Sequence, residues 1–361
     1  MSSSSLRKVL IMAGGTGGHV FPALAVARRL QDQNVEVLWL GTARGIEARL
    51  VPEAGIPLTC LPVEGVRGRG LKGLIKAPWL ISKAVAGALR LIKKEQPDVV
   101  LGFGGFASGP GGLAARLVGK PLVIHEQNAV PGTTNRLLAP LASRVLSAFP
   151  VTLGNAVMVG NPVREAIARL PLPALRYESR VGEPLRLLVL GGSLGALAIN
   201  QLVPVALQEM ATAVRPQVWH QTGEKHIAAT RELYQQLSIE ARVDAFITDM
   251  AEAYAWADLI VCRAGALTVS EIMAAGVAAI FIPLPNAIDD HQTYNAKVLS
   301  DAGAARLIPQ QSLTAEKLAA LLTNELSERE LLLTMAEKAR QLARPDAAAT
   351  VCACCLEVAN G

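Results

Sequence analysis

Short apolar runs alternate along the chain with longer stretches of helical periodicity. In the first half the runs are Lys8–Met12, Val35–Leu40, Asp98–Gly102 and Leu122–His125. In the second they are Leu185–Leu190, Val243–Ile247, Leu259–Cys262 and Ala278–Ile282. Strands covered on both faces read as near-continuous apolar runs, and parallel neighbours need a helical crossover between them. The pattern therefore predicts an α/β fold of parallel sheets with helices on both faces. Each run is strand-length, far below the roughly 20 residues that span a membrane.

The pattern also repeats. RKVLIMAGGTGGHVFPALAVA near the start is echoed by LRLLVLGGSLGALAINQLV, with glycine pairs beginning at Gly14 and Gly191. Both read apolar strand, Gly-Gly, Ser or Thr, Gly, then an amphipathic helix. Two doubly wound domains facing one another across a cleft follow, with a single larger sheet as the alternative. Between the copies, ARLPLPALRYESRVGEPLR has the prolines and mixed charge of a linker. The last segment, Leu342 to Gly361, is helical in pattern and able to cross back to the first domain.

Composition narrows this picture modestly. At 361 residues, 51% hydrophobic and 18% charged, the chain suits two domains with large cores and not disorder. Aromatic residues are only 4% and no recognised binding module appears, which argues against nucleic acid. The start MSSSSLRK meets glycines after one short apolar run, so no signal peptide is expected. The cysteines Cys60, Cys262, Cys352, Cys354 and Cys355 lack a second cluster or nearby histidine. Buried or idle thiols in a reducing cytoplasm are expected, and no metal.

The glycine loops carry the candidate chemistry. Gly15-Thr16-Gly17-Gly18-His19-Val20 lacks the third glycine of a dinucleotide fingerprint. The second strand ends Leu40-Gly41-Thr42 with no acid for a ribose, Glu47 coming several residues too late. No Gly-Lys-Ser/Thr makes it a P-loop. What remains is glycine backbone that lets an anion approach a helix start. A second loop, Gly102-Phe103-Gly104-Gly105-Phe106-Ala107-Ser108-Gly109-Pro110, comes after another strand. Two such loops in one domain suggest a diphosphate, or one anion held from both sides; tight strand–helix turns are the plain alternative.

His19 stands at the helix start, where the dipole favours a neutral imidazole able to accept a proton. It reads as a general base, or else as an N-cap or phosphate contact. His125-Glu126-Gln127-Asn128 ends a strand where α/β proteins place ligand contacts, with a solvated turn as the alternative. In the second half, Arg263 to Glu271 joins a strand to a helix whose N–H groups can bind a diphosphate. Glu271 could accept from ribose hydroxyls, or Thr268 and Glu271 could form a capping box. Asp289-Asp290-His291-Gln292 fits hydrogen bonding to a sugar better than a divalent ion.

Taken in order, GGTGGH, GFGGFASGPGG, HEQN, GNPVR at Gly160–Arg164, GGSLGA, and AGALTVSE followed by DDHQ closely resemble the MurG family. Its members are N-acetylglucosaminyltransferases that convert lipid I into lipid II in peptidoglycan synthesis. The resemblance runs through essentially the whole chain. It implies a GT-B architecture, with an acceptor-binding, membrane-associating domain at 1–163 plus 343–361. A UDP-N-acetylglucosamine-binding domain at 164–342 would complete it. On the donor side, Ile247 would meet the uracil through its backbone, and Ser193 with the helix start Ala266, Leu267 and Thr268 the diphosphate, with Val269 and Ser270 also in the donor site. Glu271 would meet the ribose and Gln292 the sugar, with Asn128, Arg164, Thr16, Gly17 and Gly18 contributing. For the acceptor pyrophosphate the resemblance implies Gly14, Gly15, Thr16, Gly104, Gly105, Phe106 and Ser108. Two positions depart from the family form: Phe106 stands where tyrosine is common, and Leu194 where glutamine often occurs.

The implied reaction is inverting attack of the muramyl 4-hydroxyl on the donor's anomeric carbon, with no cofactor and with helix dipoles in place of a divalent ion. His19 is the leading base and Glu126 the runner-up. A membrane-borne acceptor also gives meaning to the basic residues Arg67, Arg69, Lys72, Lys76, Lys83, Arg90, Lys93 and Lys94. They interleave with Leu71, Leu74, Ile75, Trp79, Leu80 and Ile81, with no acid among them. Lys72, Ile75, Lys76, Trp79 and Leu80 would dock the protein, as a peripheral enzyme, on the anionic cytoplasmic face of the inner membrane. The alternative is a solvated helix with its apolar face in the core. Expected partners are UDP-N-acetylglucosamine, lipid I and proteins of cell-wall synthesis and division. A sugar-nucleotide epimerase of the same architecture, or a non-catalytic sensor, are the competing functions.

Overall fold

The computed structural model describes residues 6–61, 70–192, 195–285 and 288–361, with the side chains of 70–77, 288, 326 and 327 excepted. The chain divides into two compact units, Met1–Arg164 with Arg344–Gly361, and Glu165–Ala343.

In the first unit the strands are β1 (Lys8–Met12), β2 (Glu36–Gly41), β3 (Leu58–Cys60), β4 (Val99–Gly102), β5 (Leu122–Glu126), β6 (Arg144–Ser147) and β7 (Val157–Met158). They form one sheet in the order β3-β2-β1-β4-β5-β6-β7, with every pairing parallel. The second unit has β8 (Arg186–Leu190), β9 (Gln217–Gln221), β10 (Arg242–Asp244), β11 (Leu259–Cys262), β12 (Ala278–Phe281) and β13 (Ala305–Leu307). Their order is β10-β9-β8-β11-β12-β13, again all parallel. In each sheet the first strand lies between the second and the fourth. The order reverses there, and the crevice beyond the strand ends at that point is where open α/β sheets bind ligands.

The apolar runs are explained by burial on both faces. In β1, Val9 and Ile11 join one core cluster while Leu10 and Met12 join another on the opposite face. Such two-sided burial is why the strand shows no polar alternation. The structure also contains β3, β6, β7, β9 and β13, which the pattern did not mark. These are edge or near-edge strands, and several carry exposed residues, such as Val157 and Met158 in β7.

One segment differs from expectation. The proline-rich stretch before β8 is not a free linker. It contains a helix, Pro173–Glu178, whose Arg176 and Tyr177 are buried in the second unit. The final helix, Ala347–Asn360, belongs to the first unit and packs on the helix Gly17–Asp32. Its Val351, Cys352, Cys354 and Cys355 fill the same core cluster as β1. No described helix is long and apolar enough to cross a membrane.

Candidate active site

In the first unit, the two glycine loops extend from β1 and β4 and pack backbone against backbone. Gly105 has φ +83°, and a Cβ placed there would lie 2.4 Å from the Gly14 carbonyl oxygen. Only a residue without a side chain permits that approach. The His19 ring lies across the junction: Nδ1 is 3.3 Å from Gly14 O, and Nε2 would be 3.2 Å from a Cβ on Gly104. With the carbonyl accepting, Nδ1 carries the hydrogen and Nε2 is the proton-accepting nitrogen. Thr16 is the N-cap of the helix Gly17–Asp32, and its carbonyl accepts from His19 N and Val20 N, both at 3.2 Å. The N–H groups of Gly17 and Gly18 lie in the first turn, ahead of any intrahelical partner. Gly15 and Thr16 are exposed, as is Phe106.

What braces the first loop is a residue the sequence did not single out for it. Glu47 is fully buried, and its carboxylate accepts from Gly15 N at 2.9 Å, Thr42 N at 3.0 Å and Thr42 Oγ1 at 2.7 Å. This acid, too late for a ribose, ties the turn after β1 to the turn after β2. The Gly15 contact spans 32 positions, so no local pattern announces it.

Three residues singled out in this unit turn inward. Ser108 is buried and its hydroxyl lies 2.6 Å from Gly104 O and 3.0 Å from Met12 O, so it fastens the loop and does not meet an anion. Glu126 is also buried. One oxygen accepts from Asn128 N (2.9 Å) and Asn128 Nδ2 (3.2 Å), the other from Gly132 N (3.0 Å) and Asn135 Nδ2 (2.8 Å). A carboxylate so enclosed clamps the loop. His125 is no ligand contact either. Its Nε2 is 2.8 Å from Gly160 O, and Gln127 Nε2 is 3.1 Å from its Nδ1, which together select the Nε2–H tautomer. Burial pushes its pKa down to about 4, so it is neutral at physiological pH. HEQN thus holds the Gly160 turn of GNPVR in place. Beyond that turn, the Arg164 guanidinium lies 5.6 Å from the centre of the Phe21 ring.

In the second unit, Gly265 is the N-cap of the helix Ala266–Ala275. Thr268 is therefore inside the first turn, which removes the capping-box reading and leaves the N–H groups of Ala266, Leu267 and Thr268 at the free helix end. Val269 and Ser270 do not share that position. Val269 N donates to Gly265 O and its side chain is fully buried, while Ser270 Oγ turns back to Ala266 O at 2.8 Å. Glu271 is buried, with Oε2 accepting from Tyr254 OH at 3.1 Å. Ile247 is buried and its N–H is already given to Gln221 Oε1 at 3.0 Å, leaving its carbonyl for a base. Gln292 opens the helix His291–Ser300 with Oε1 accepting from Leu284 N at 2.9 Å, which leaves its amide hydrogens for a ligand. Just before it, Asp289 and Asp290 have φ of 54° and 49°. Two successive non-glycine residues in the left-handed region cost energy that surrounding structure must supply, a feature concentrated at ligand sites. Ser193 and Leu194 lie outside the described residues.

The basic helix runs from Gly70 to Glu95. Ala84, Ala88 and Ile92, spaced four apart, are fully buried. Trp79 is 65% exposed and Ile81 45%, with Lys83 Nζ 5.3 Å from the Trp79 ring centre. Leu80 is half-buried, and the side chains of Lys72, Ile75 and Lys76 lie outside the described residues. The helix therefore has an apolar face in the core and a separate outward face that carries a tryptophan and cations.

Comparison with known proteins agrees with this arrangement. Residues 9–147 match the glycosyltransferase family 28 N-terminal domain, and residues 186–351 the C-terminal domain of that family. A protein of Cellvibrio japonicus named UDP-N-acetylglucosamine--N-acetylmuramyl-(pentapeptide) pyrophosphoryl-undecaprenol N-acetylglucosamine transferase is 62% identical, over 98% of this chain and 99% of its own. A Pseudomonas paraeruginosa protein of the same name is 55% identical, with the same coverage. The crystal structure of Acinetobacter baumannii MurG superposes with a TM-score of 0.84 at 47% identity, covering 97% of this chain and 99% of that one. Two Rossmann-like units of matching strand order, with glycine turns at both switch points and family models over both halves, make this chain a GT-B glycosyltransferase of family 28 and a member of the MurG N-acetylglucosaminyltransferases.

Proposed function

We infer that the protein transfers N-acetylglucosamine from UDP-N-acetylglucosamine to the 4-hydroxyl of the muramyl sugar of lipid I, giving lipid II and UDP. The observation that carries this reading is the 62% identity over 98% of the chain to a transferase of that name. A lipid I analogue with labelled donor tests it. The expected product is a lipid-linked disaccharide with inverted anomeric configuration. Conversion of donor to an epimer without acceptor would replace it with the alternative on the same architecture.

In the mechanism, the acceptor hydroxyl loses its proton to His19 Nε2 as its oxygen attacks the anomeric carbon, and the bond to UDP breaks on the opposite face. The Nδ1–H contact to Gly14 O supports this role by fixing the tautomer. Charge on the departing diphosphate is met by the N–H groups of Ala266, Leu267 and Thr268 and the positive end of their helix. Glu271, held by Tyr254, accepts from the ribose hydroxyls. The Ile247 carbonyl meets the uracil, and Gln292 donates to the sugar, with Asn128 and Arg164 contributing. The paired glycine loops, with Gly14, Thr16, Gly104 and Gly105 supplying backbone and Phe106 the rim, take the acceptor's pyrophosphate, while the Gly15 N–H stays with Glu47.

The outward face of the basic helix docks this peripheral enzyme on the anionic cytoplasmic leaflet that carries the acceptor. Exposed Trp79 and Ile81 support the docking, as do Lys83, Arg90, Lys93 and Lys94. Replacing Lys83 and Arg90 together by glutamine is expected to cut sedimentation with anionic liposomes about tenfold or more at low salt, at about 1 kcal/mol per cation. Binding that ignores both lipid charge and salt would end this reading. Cell-wall synthesis and division proteins are further partners for a membrane-bound enzyme.

A further inference from the structure

The helix assigned to the donor diphosphate is gripped at its other end by the segment that enters the second unit. Gly276 closes the helix Ala266–Ala275 in the left-handed region, at φ 63°. A Cβ there would meet Pro173 at 2.7 Å, so the helix Pro173–Glu178 abuts this terminus. From it Arg176, 6% exposed, reaches the carbonyls that the helix leaves unpaired. Its Nη2 donates to Ala275 O at 2.6 Å and Gly276 O at 2.5 Å, and its Nη1 to Tyr254 O at 3.0 Å. Tyr254 in turn donates its hydroxyl to Glu271 Oε2. Burial lowers the Arg176 pKa to about 10, which leaves the guanidinium charged at neutral pH. Arg180, four residues on, is paired with Asp258 at 2.7 Å, so its charge is spent elsewhere.

We propose that Arg176 is a positioning residue for the sugar nucleotide: it touches no donor atom, yet fixes the helix whose free end binds the diphosphate and the tyrosine that holds Glu271. A cation on the negative end of a helix cancels that end's partial charge and leaves the positive end stronger toward an anion. The hydrogen bonds also fix where the helix end and Glu271 stand. The proposal rests on the donor assignment given above.

UDP titrated calorimetrically into the full-length protein, well below each variant's melting temperature, tests it. Arg176→Met is expected to bind UDP about three- to tenfold more weakly, with kcat at saturating donor within about threefold of the parent. Arg176→Lys, which keeps the charge, is expected to recover most of the affinity. Arg176→Gln replaces the methionine variant if that does not fold, with the same expected loss. Leu322→Ala, in the fully buried core of the same unit, lowers stability away from this contact and is expected to leave UDP affinity unchanged. Parent-like affinity in the uncharged Arg176 variants, or an equal loss in Leu322→Ala, would overturn the proposal by reducing Arg176 to a structural role. Glu271→Gln separates the two levels. If it too leaves UDP affinity intact, the donor assignment fails, and the role of Arg176 with it.

Discussion

The two units place a glycine turn at the same point of the same strand order, yet they brace their ligand-facing backbone in opposite ways. In the first, two loops lean on each other, and a buried carboxylate, Glu47, draws the Gly15 N–H inward from beneath. In the second, the working helix is anchored from its far end by a buried guanidinium, Arg176. The acid holds backbone donors and the base holds backbone acceptors. A shared topology therefore fixes where a site forms, while the charge placed under it decides which backbone groups are left to the ligand.

The comparison breaks most readily at His19. His19→Ala is expected to lower turnover by about 10²- to 10⁴-fold while UDP affinity stays within about twofold. Equal losses in both would mean that the first unit's loop serves the donor as much as the acceptor. A matched pair of glycine substitutions comes next. Gly105→Ala drives a methyl into Gly14 O, and Gly195→Ala, in the GGSLGA turn that follows β8, drives one to within van der Waals overlap of Thr222 O. A displacement of about 1 Å near reacting groups costs on the order of 100-fold. The first variant should lose turnover with UDP binding kept, and the second should lose UDP binding. The same defect in both would erase the division of labour.

Each unit also buries one histidine at the end of a strand, and acid should find both. Burial lowers the pKa of His125 to about 4 and of His220 to about 3. The unfolded imidazoles titrate near 6.5, so below that the unfolded chain takes protons first. The stabilisation is full above about pH 6.5 and is lost as pH falls toward the folded values. At pH 4.5 each histidine should have given up about 2–3 kcal/mol, visible as a falling melting temperature. His125→Gln and His220→Gln should each flatten that fall. A profile unchanged by both would assign the acid sensitivity to other groups. The smallest effect belongs to Glu126→Gln, which exchanges one accepting oxygen for a donor facing Gly132 N or Asn135. About 1–3 kcal/mol of stability should go, with turnover reduced far less than in His19→Ala. A loss of turnover matching the histidine variant would restore Glu126 as a base.

Much of the fold was legible because both sheets are buried on two sides, and Val9–Met12 and Leu187–Leu190 spell that out residue by residue. The repeated Gly-Gly turns marked the two domains, because a glycine pair between an apolar run and a helical pattern is itself local. The direction of side chains in loops was not legible. His125, Glu126 and Gln127 look like ligand groups beside an apolar strand, yet all three point inward to hold other turns. Ser108 and Ser270 hide in the same way, each spending its hydroxyl on a carbonyl. Glu47 and Arg176 act over 32 and about 100 positions, distances at which one sequence carries no pattern.

The final helix has a consequence for synthesis. Val351, Cys352 and Cys355 complete a core whose other walls, β1 and the helix Gly17–Asp32, leave the ribosome some three hundred residues earlier. The second unit is contiguous and can close as soon as it emerges. The half of the enzyme made first is thus the half finished last, and until the helix Ala347–Asn360 emerges it keeps an open apolar seam that nascent-chain chaperones can occupy.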